Sequence, residues 1–190
     1  WSPDGTTLAF VRRGQGSGIM IAGSGQQPRM LLSEDGGFYF VDTALAWSPD
    51  GTRIAFYGGQ QDGERGVFTV SVEDGSTQFV AEAYNTSIGE ASENDPAINL
   101  TSRERGFSIN GDQLALAWSS AGIALTGLDG EYGVSMVTPD GELLWQVEYL
   151  DQVIFSADGE HLFGRRSRDW EMILDMATGE TITVMLPEDA

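Results

Sequence analysis

The phrase "LAWSPDGTRIAF" at residues 45–56 has a second copy, "WSPDGTTLAF", at residues 1–10. No other feature of the chain constrains its fold as strongly. A ten-letter phrase used twice in 190 residues marks a supersecondary unit that recurs. Weaker copies stand at "GFSINGDQLALAW" from Gly106 and "VIFSADGEHLFG" from Val153. The aromatic before the Ser is Trp1, Trp47, Phe107 and Phe155. The unit therefore recurs roughly every 45–60 residues, the span of one four-stranded propeller blade.

Each unit follows one plan. An apolar strand ends in an aromatic residue and Ser, and a tight turn follows, "PDG", "ING" or "ADG". Asp or Asn there bonds its own backbone, and Gly supplies the positive φ. The second strand is "TLAFVRR", "RIAFYG", "QLALAW" or "HLFGRR". It is apolar on both faces, as a strand held between two neighbouring layers must be. Third strands lie in "GVFTVSVEDG", "GVSMVTPDG" and "EMILDMATG", and fourth strands in "STQFVAE", "ELLWQVEYL" and "ETITVML". In the first unit "GIMIAGSGQQPRMLL" supplies both.

The expected fold is all-β. It is a β-propeller of about four consecutive four-stranded antiparallel blades, at about residues 1–33, 43–82, 103–150 and 151–190, with a long loop over 83–102. Leu8, Phe10, Ile54, Phe56, Leu114, Leu116 and Leu162 are expected to be buried between blades. Helix is expected to be scarce outside 83–102.

Trp1-Ser2-Pro3-Asp4-Gly5 and Trp47-Ser48-Pro49-Asp50-Gly51 match the motif of the WD40-like PD40 repeats letter for letter. Over essentially its whole length the chain resembles the TolB-like propellers. The copies at Phe107 and Phe155 lack the Pro, and the former has Asn110 for the Asp. The resemblance implies a periplasmic or extracellular scaffold that binds a protein or peptide. It also implies a ring of more blades, commonly six or more. "VDTALAWSPDG" supplies an inner strand before the second turn, and the first turn needs its equivalent. The chain is thus expected to be part of a larger propeller, with flanking sequence or a partner chain supplying that strand.

Charge and residue inventory limit the chemistry. Twenty-nine carboxylates face ten basic residues, all of them Arg, for a net charge of −19. Such a surface repels nucleic acid and anionic membrane and suits a cation or a basic partner. No apolar run reaches the ~18 residues of a membrane-spanning helix. Cysteine is absent, which excludes disulfides, thiolate catalysis and Cys-ligated zinc. The one His is His161, in "DGEHLFG", and no "GxSxG" elbow occurs. Carboxylates alone suit Ca²⁺ or Mg²⁺, so Ca²⁺ is the single cofactor left open. "GQGSG" from Gly14 lacks the Lys-Ser/Thr ending of a phosphate loop. Asp4, Asp50 and Asp158 recur as turn residues, and a catalyst would not be needed in every blade. No catalytic residue is expected.

Function on a repeat scaffold sits where the repeat is interrupted. Counting strands from the axis outward, first-to-second and third-to-fourth connections share one end of a blade. The other connections share the opposite end. The long segments, 83–102 between blades two and three and 119–132 inside blade three, both fall on that opposite end. They carry the candidate binding residues Tyr84, Glu90, Glu93, Asp95, Asp129, Glu131 and Tyr132. Shorter connections add Glu34, Asp35, Asp42, Asp62 and Glu64. The leading expectation is a non-catalytic scaffold that binds a protein or peptide through this loop-rich end. A second is the gating portion of a larger hydrolase, such as a prolyl-oligopeptidase-like peptidase, whose catalytic domain lies elsewhere. A third is a sugar- or ester-cleaving propeller using carboxylates and Ca²⁺.

Overall fold

The computed structural model describes residues 1–60, 63–83, 115–126, 128, 133–148, 152–156, 160–166 and 170–184. Sheet one comprises β1 (Thr7–Arg12), β2 (Gly18–Gly23) and β3 (Arg29–Ser33). Sheet two comprises β4 (Phe38–Trp47), β5 (Arg53–Gln60), β6 (Arg65–Ser71) and β7 (Thr77–Glu82). Sheet three holds β8 (Leu116–Ser119), β9 (Gly122–Thr126), β10 (Gly133–Val137) and β11 (Leu143–Glu148). Sheet four holds β12 (Gln152–Phe155), β13 (His161–Arg166), β14 (Trp170–Asp175) and β15 (Thr181–Val184). Strand order in each sheet follows chain order and every pairing is antiparallel, so each sheet is a meander. Among the described residues the helical content is one 3-10 turn, Glu34–Gly36.

The sheets stack in sequence through three apolar seams. Ile19, Ile21 and Leu31 of sheet one meet Ile54, Phe56, Phe68 and Val70 of sheet two. Ala55, Tyr57 and Val67 meet Ile123, Leu125 and Val137 of sheet three. Ala124, Val134 and Met136 meet Leu162, Met172 and Leu174 of sheet four. Alternate residues of a strand point to opposite faces. Ile54 and Phe56 therefore look back to sheet one while Ala55 and Tyr57 look forward to sheet three, which is why the strand is apolar throughout. Each fully buried large side chain contributes about 1.5–3 kcal/mol.

Of the expected core, Ile54, Phe56 and Leu162 are buried, and Leu114 lies outside the described residues. Leu8, Phe10 and Leu116 are only half-buried. Ala9 faces sheet two, so its neighbours Leu8 and Phe10 sit on the outward face of sheet one. Leu116 belongs to β8, the first strand of its sheet.

The segment 119–132, expected as a connection, contains β9. Its residues "GIALT" pair with β8 on one side and β10 on the other, burying Ile123, Ala124 and Leu125 completely. "LAWS" at Leu116–Ser119 repeats "LAWS" at 45–48, so the inner hairpin of sheet three starts there. "QLALAW" ends as an inner strand, not a second one.

The repeated turn is a hydrogen-bond lock. Ser48 Oγ donates to Asp50 Oδ1 at 2.6 Å and accepts from Arg53 N at 2.9 Å. Asp50 Oδ1 also accepts from Thr52 N at 3.0 Å. Gly51 closes the turn at φ 71°. Ser2, Asp4 and Thr6 repeat the set, with Ser2 Oγ to Asp4 Oδ1 at 2.6 Å. His161 N donates to Ser156 Oγ at 2.9 Å, the same lock in sheet four. Asp50→Ala is expected to lower stability by about 1 kcal/mol, read from the urea midpoint, with no change in sheet content by circular dichroism.

The outer turn of sheet two uses Asp74, whose carboxylate accepts from Ser76 N at 2.9 Å. That backbone bond, then Ser71, holds its carboxyl at about 2 instead of 3.8. A group with a depressed folded pKa stabilises the fold above its unfolded pKa and ceases to do so as pH falls through the folded value. Asp74→Ala should therefore sit below the wild type in melting temperature by a constant margin above about pH 5, a margin that closes as pH approaches about 2. Comparing the two chains cancels the effect of discharging the other carboxylates. A margin that stays fixed down to that pH would show that the carboxylate charge plays no part in the turn.

The seams also share a device at the rim. A donor on the outer strand of one sheet reaches the outer turn of the next. Arg29 Nη2 donates to Val72 O at 2.6 Å, Gln78 Nε2 to Asp140 Oδ1 at 3.3 Å, and Trp145 Nε1 to Met176 O at 3.1 Å. In the same turns a positive-φ glycine presses on the preceding sheet. A methyl on Gly75 would lie 2.9 Å from Leu31 O, one on Gly179 would lie 2.9 Å from the Trp145 ring, and one on Gly141 would collide with Val80 O.

Candidate binding face

Strand direction sorts the connections into two ends. β5 enters at the Ser-Pro-Asp-Gly turn and leaves at Gln60, β6 returns from Arg65, and β7 leaves again at Glu82. The 61–64 connection and the chain following β7 thus share one end. In sheet three the β9–β10 connection leaves from Thr126. Ala83, directly after β7, forms an isolated antiparallel bridge with Leu128 in that connection. The described parts of the two segments therefore touch, at the end opposite the Asp-Gly turns. Within sheet one, Glu34 N donates to Ser17 O at 3.0 Å and extends the β2–β3 ladder past Gly18 and Ser33.

Tyr84, Glu90, Glu93, Asp95, Asp129, Glu131 and Tyr132 lie outside the described residues, as does Asp62. Glu34 and Asp35 occupy the 3-10 turn, where Ser33 Oγ accepts from Asp35 N at 3.2 Å. Asp42 lies within β4, and Glu64 directly precedes β6, its carbonyl accepting from Gln60 N at 3.0 Å.

Among the described residues, the same end carries an aromatic–cation pair. Tyr39, Gly59 and Arg65 stand in one row across β4, β5 and β6. The Arg65 guanidinium carbon is 5.7 Å from the centroid of the Tyr39 ring. Tyr39 lies over Gly59, which has no side chain to obstruct it. Its hydroxyl is buried. Burial pushes the phenol upward, and the Arg65 charge opposes part of that shift. Sequence reading missed this pair; its signal was the Gly58–Gly59 doublet inside an otherwise bulky strand.

Asp4 and Asp50 are engaged in their turns, held below the usual carboxylate range chiefly by Ser2 and Ser48 respectively. Asp158 lies outside the described residues. Among the described residues, no three His, Asp or Glu side chains gather as a metal site, and no helix is long and apolar enough to cross a membrane.

Four meander sheets stacked face to face define a β-propeller, and solved structures agree. The structure of TolB from Acinetobacter baumannii superposes with a TM-score of 0.64 at 14% identity, over 97% of this chain and 42% of that one. The puromycin hydrolase S511A mutant complexed with PGG gives 0.62 at 17%, over 98% of this chain and 28% of that one. Oligogalacturonate lyase in complex with manganese gives 0.61 at 11%, over 98% and 52%. The chain thus has the β-propeller fold found in TolB, and it spans about half or less of each of these structures. No protein-family model and no curated protein matches it.

Proposed function

We propose that this chain is a non-catalytic propeller scaffold that binds a protein or peptide partner through its loop-bearing end, in the periplasm or outside the cell. The observation that carries this reading is the Ala83–Leu128 bridge, which joins the start of the chain after β7 to the β9–β10 connection of the next sheet. The partner surface is proposed as Tyr84, Glu90, Glu93, Asp95, Asp129, Glu131 and Tyr132. With a net charge of −19, the chain favours a basic partner and disfavours nucleic acid.

Replacing residues 84–102 with a short Gly-Ser link should leave the fold intact, because loop length costs little. It should abolish binding to basic peptides selected from a display library against the unaltered chain. Selected peptides that bind both chains equally would sink this assignment.

Likeness to puromycin hydrolase and to prolyl endopeptidases, of which the chain spans 28% and 30%, supports a second reading: the gating portion of a larger peptidase. Peptidase activity in a longer native chain would favour it. The Ca²⁺-dependent reading is tested by Ca²⁺ titration: a raised melting temperature supports it.

A further inference from the structure

The outer strands of sheets one, two and three each carry one extra residue, a bulge, against the strand they pair with. Leu31 stands between Met30 and Leu32, which pair with Met20 and Ile19. Val80 stands between Phe79 and Ala81, which pair with Phe68 and Val67. Leu144 stands between Leu143 and Trp145, which pair with Val137 and Met136. Leu31 and Val80 are 8% and 5% exposed. The outer turn of the next sheet lies against their carbonyls, through Gly75 and Gly141. In sheet three that contact falls one residue along: Gly179 presses on the Trp145 ring, and Trp145 Nε1 donates to Met176 O. Leu144 is left 47% exposed, and Leu143 beside it 49%.

The two leucines overhang opposite faces of one strand. Leu143 shares a face with its register partner Val137, which lies in the seam with sheet two. A methyl on Gly122 would lie 3.4 Å from Leu144 Cδ1 and 3.1 Å from the sulfur of Met136, which lies in the seam with sheet four. Among the described residues β11 pairs with β10 alone, so its other side is an open edge of backbone donors and acceptors. Asp140 and Glu142, just before the pair, are exposed.

We propose that the edge of β11 binds an extended segment of another protein as an added strand, with apolar residues against Leu143 and Leu144 and basic residues beside Asp140 and Glu142. Main-chain bonds give an added strand its affinity, and its alternate side chains give specificity. Successive side chains of a strand point to opposite faces, so neighbouring apolar residues of the segment meet the two leucines from both sides. A second copy of this chain is the poorer occupant, because two chains of net charge −19 repel each other. The site adjoins an outer turn, at the end opposite the loops. Its failure therefore leaves the loop-end reading untouched.

The probe is the peptide Lys-Lys-Val-Ile-Val-Lys-Lys, acetylated and amidated at its ends, titrated into the isotope-labelled chain. Saturable shifts of backbone amides should centre on β11, with slower amide exchange at Leu144 and Gln146. Leu143→Lys/Leu144→Lys should weaken binding about tenfold or more and leave the melting temperature unchanged, since both side chains are exposed. Glu142→Lys, which keeps both leucines, should also weaken it. The charge-reversed peptide with Glu for Lys should not bind, and Pro in place of the central Ile should abolish binding by removing a ladder donor. No saturable shift at β11, shifts centred on β3, β7 or the loop-bearing end, or equal binding of the Pro peptide would each overturn the proposal. A dimer by light scattering that Leu144→Lys dissolves would overturn it in favour of a second copy.

Discussion

Tyr57→Phe is expected to lower the stability of the fold by about 2 kcal/mol, the cost of leaving buried polar groups without a partner. Tyr57 is 1% exposed, and its hydroxyl lies 2.9 Å from both Ala115 O and Thr126 O. It also accepts from Thr126 N at 3.0 Å. One atom of sheet two thus ties two strands of sheet three, and Ala115 N closes the set by donating to Thr126 Oγ1 at 2.8 Å. Phe keeps the ring that packs against Ile123 and Leu125 in the same cluster, so the substitution isolates the hydroxyl. Urea unfolding should show a lower midpoint at unchanged slope. An unchanged midpoint would mean that the hydroxyl does not link the two sheets.

Gly141→Ala is expected to be more damaging, by about 3 kcal/mol, because left-handed strain and a backbone collision add. Gly141 has φ 89°, and its missing methyl would run into Val80 O. Gly25→Ala is the control. It carries the same kind of strain at φ 72° with open space around it, and should cost only about 1–2 kcal/mol. Equal losses in the two variants would show that the outer turns do not press on the preceding sheet.

The turns and sheets were legible because their physics is local. Ser48, Asp50, Gly51 and Thr52 make their bonds within five residues of one another, so the letters alone specify the lock. β9 was hidden because its hairpin lacks those letters: Ser120 and Ala121 replace Pro and Asp, and Ser119 pairs directly with Gly122. Only the repeated "LAWS" marked it. The rim device was invisible for a different reason. Gly75 and Gly179 close local turns at positive φ, but their second duty is set by a neighbour one whole sheet away in the chain. The candidate binding residues were chosen by where the repeat breaks. In a chain with 29 carboxylates, charge by itself could not single them out.

The most direct measurement uses the absence of native cysteine. Ala83 and Leu128 stand opposite each other in an antiparallel bridge, a separation that a disulfide spans. Oxidised Ala83→Cys/Leu128→Cys chain should form one intrachain disulfide, seen as faster migration on a non-reducing gel and two thiols lost by mass. That result would fix the chain after β7 and the β9–β10 connection at one end of adjacent sheets. Two free thiols in a chain that still melts cooperatively would contradict the sheet order and the binding end together.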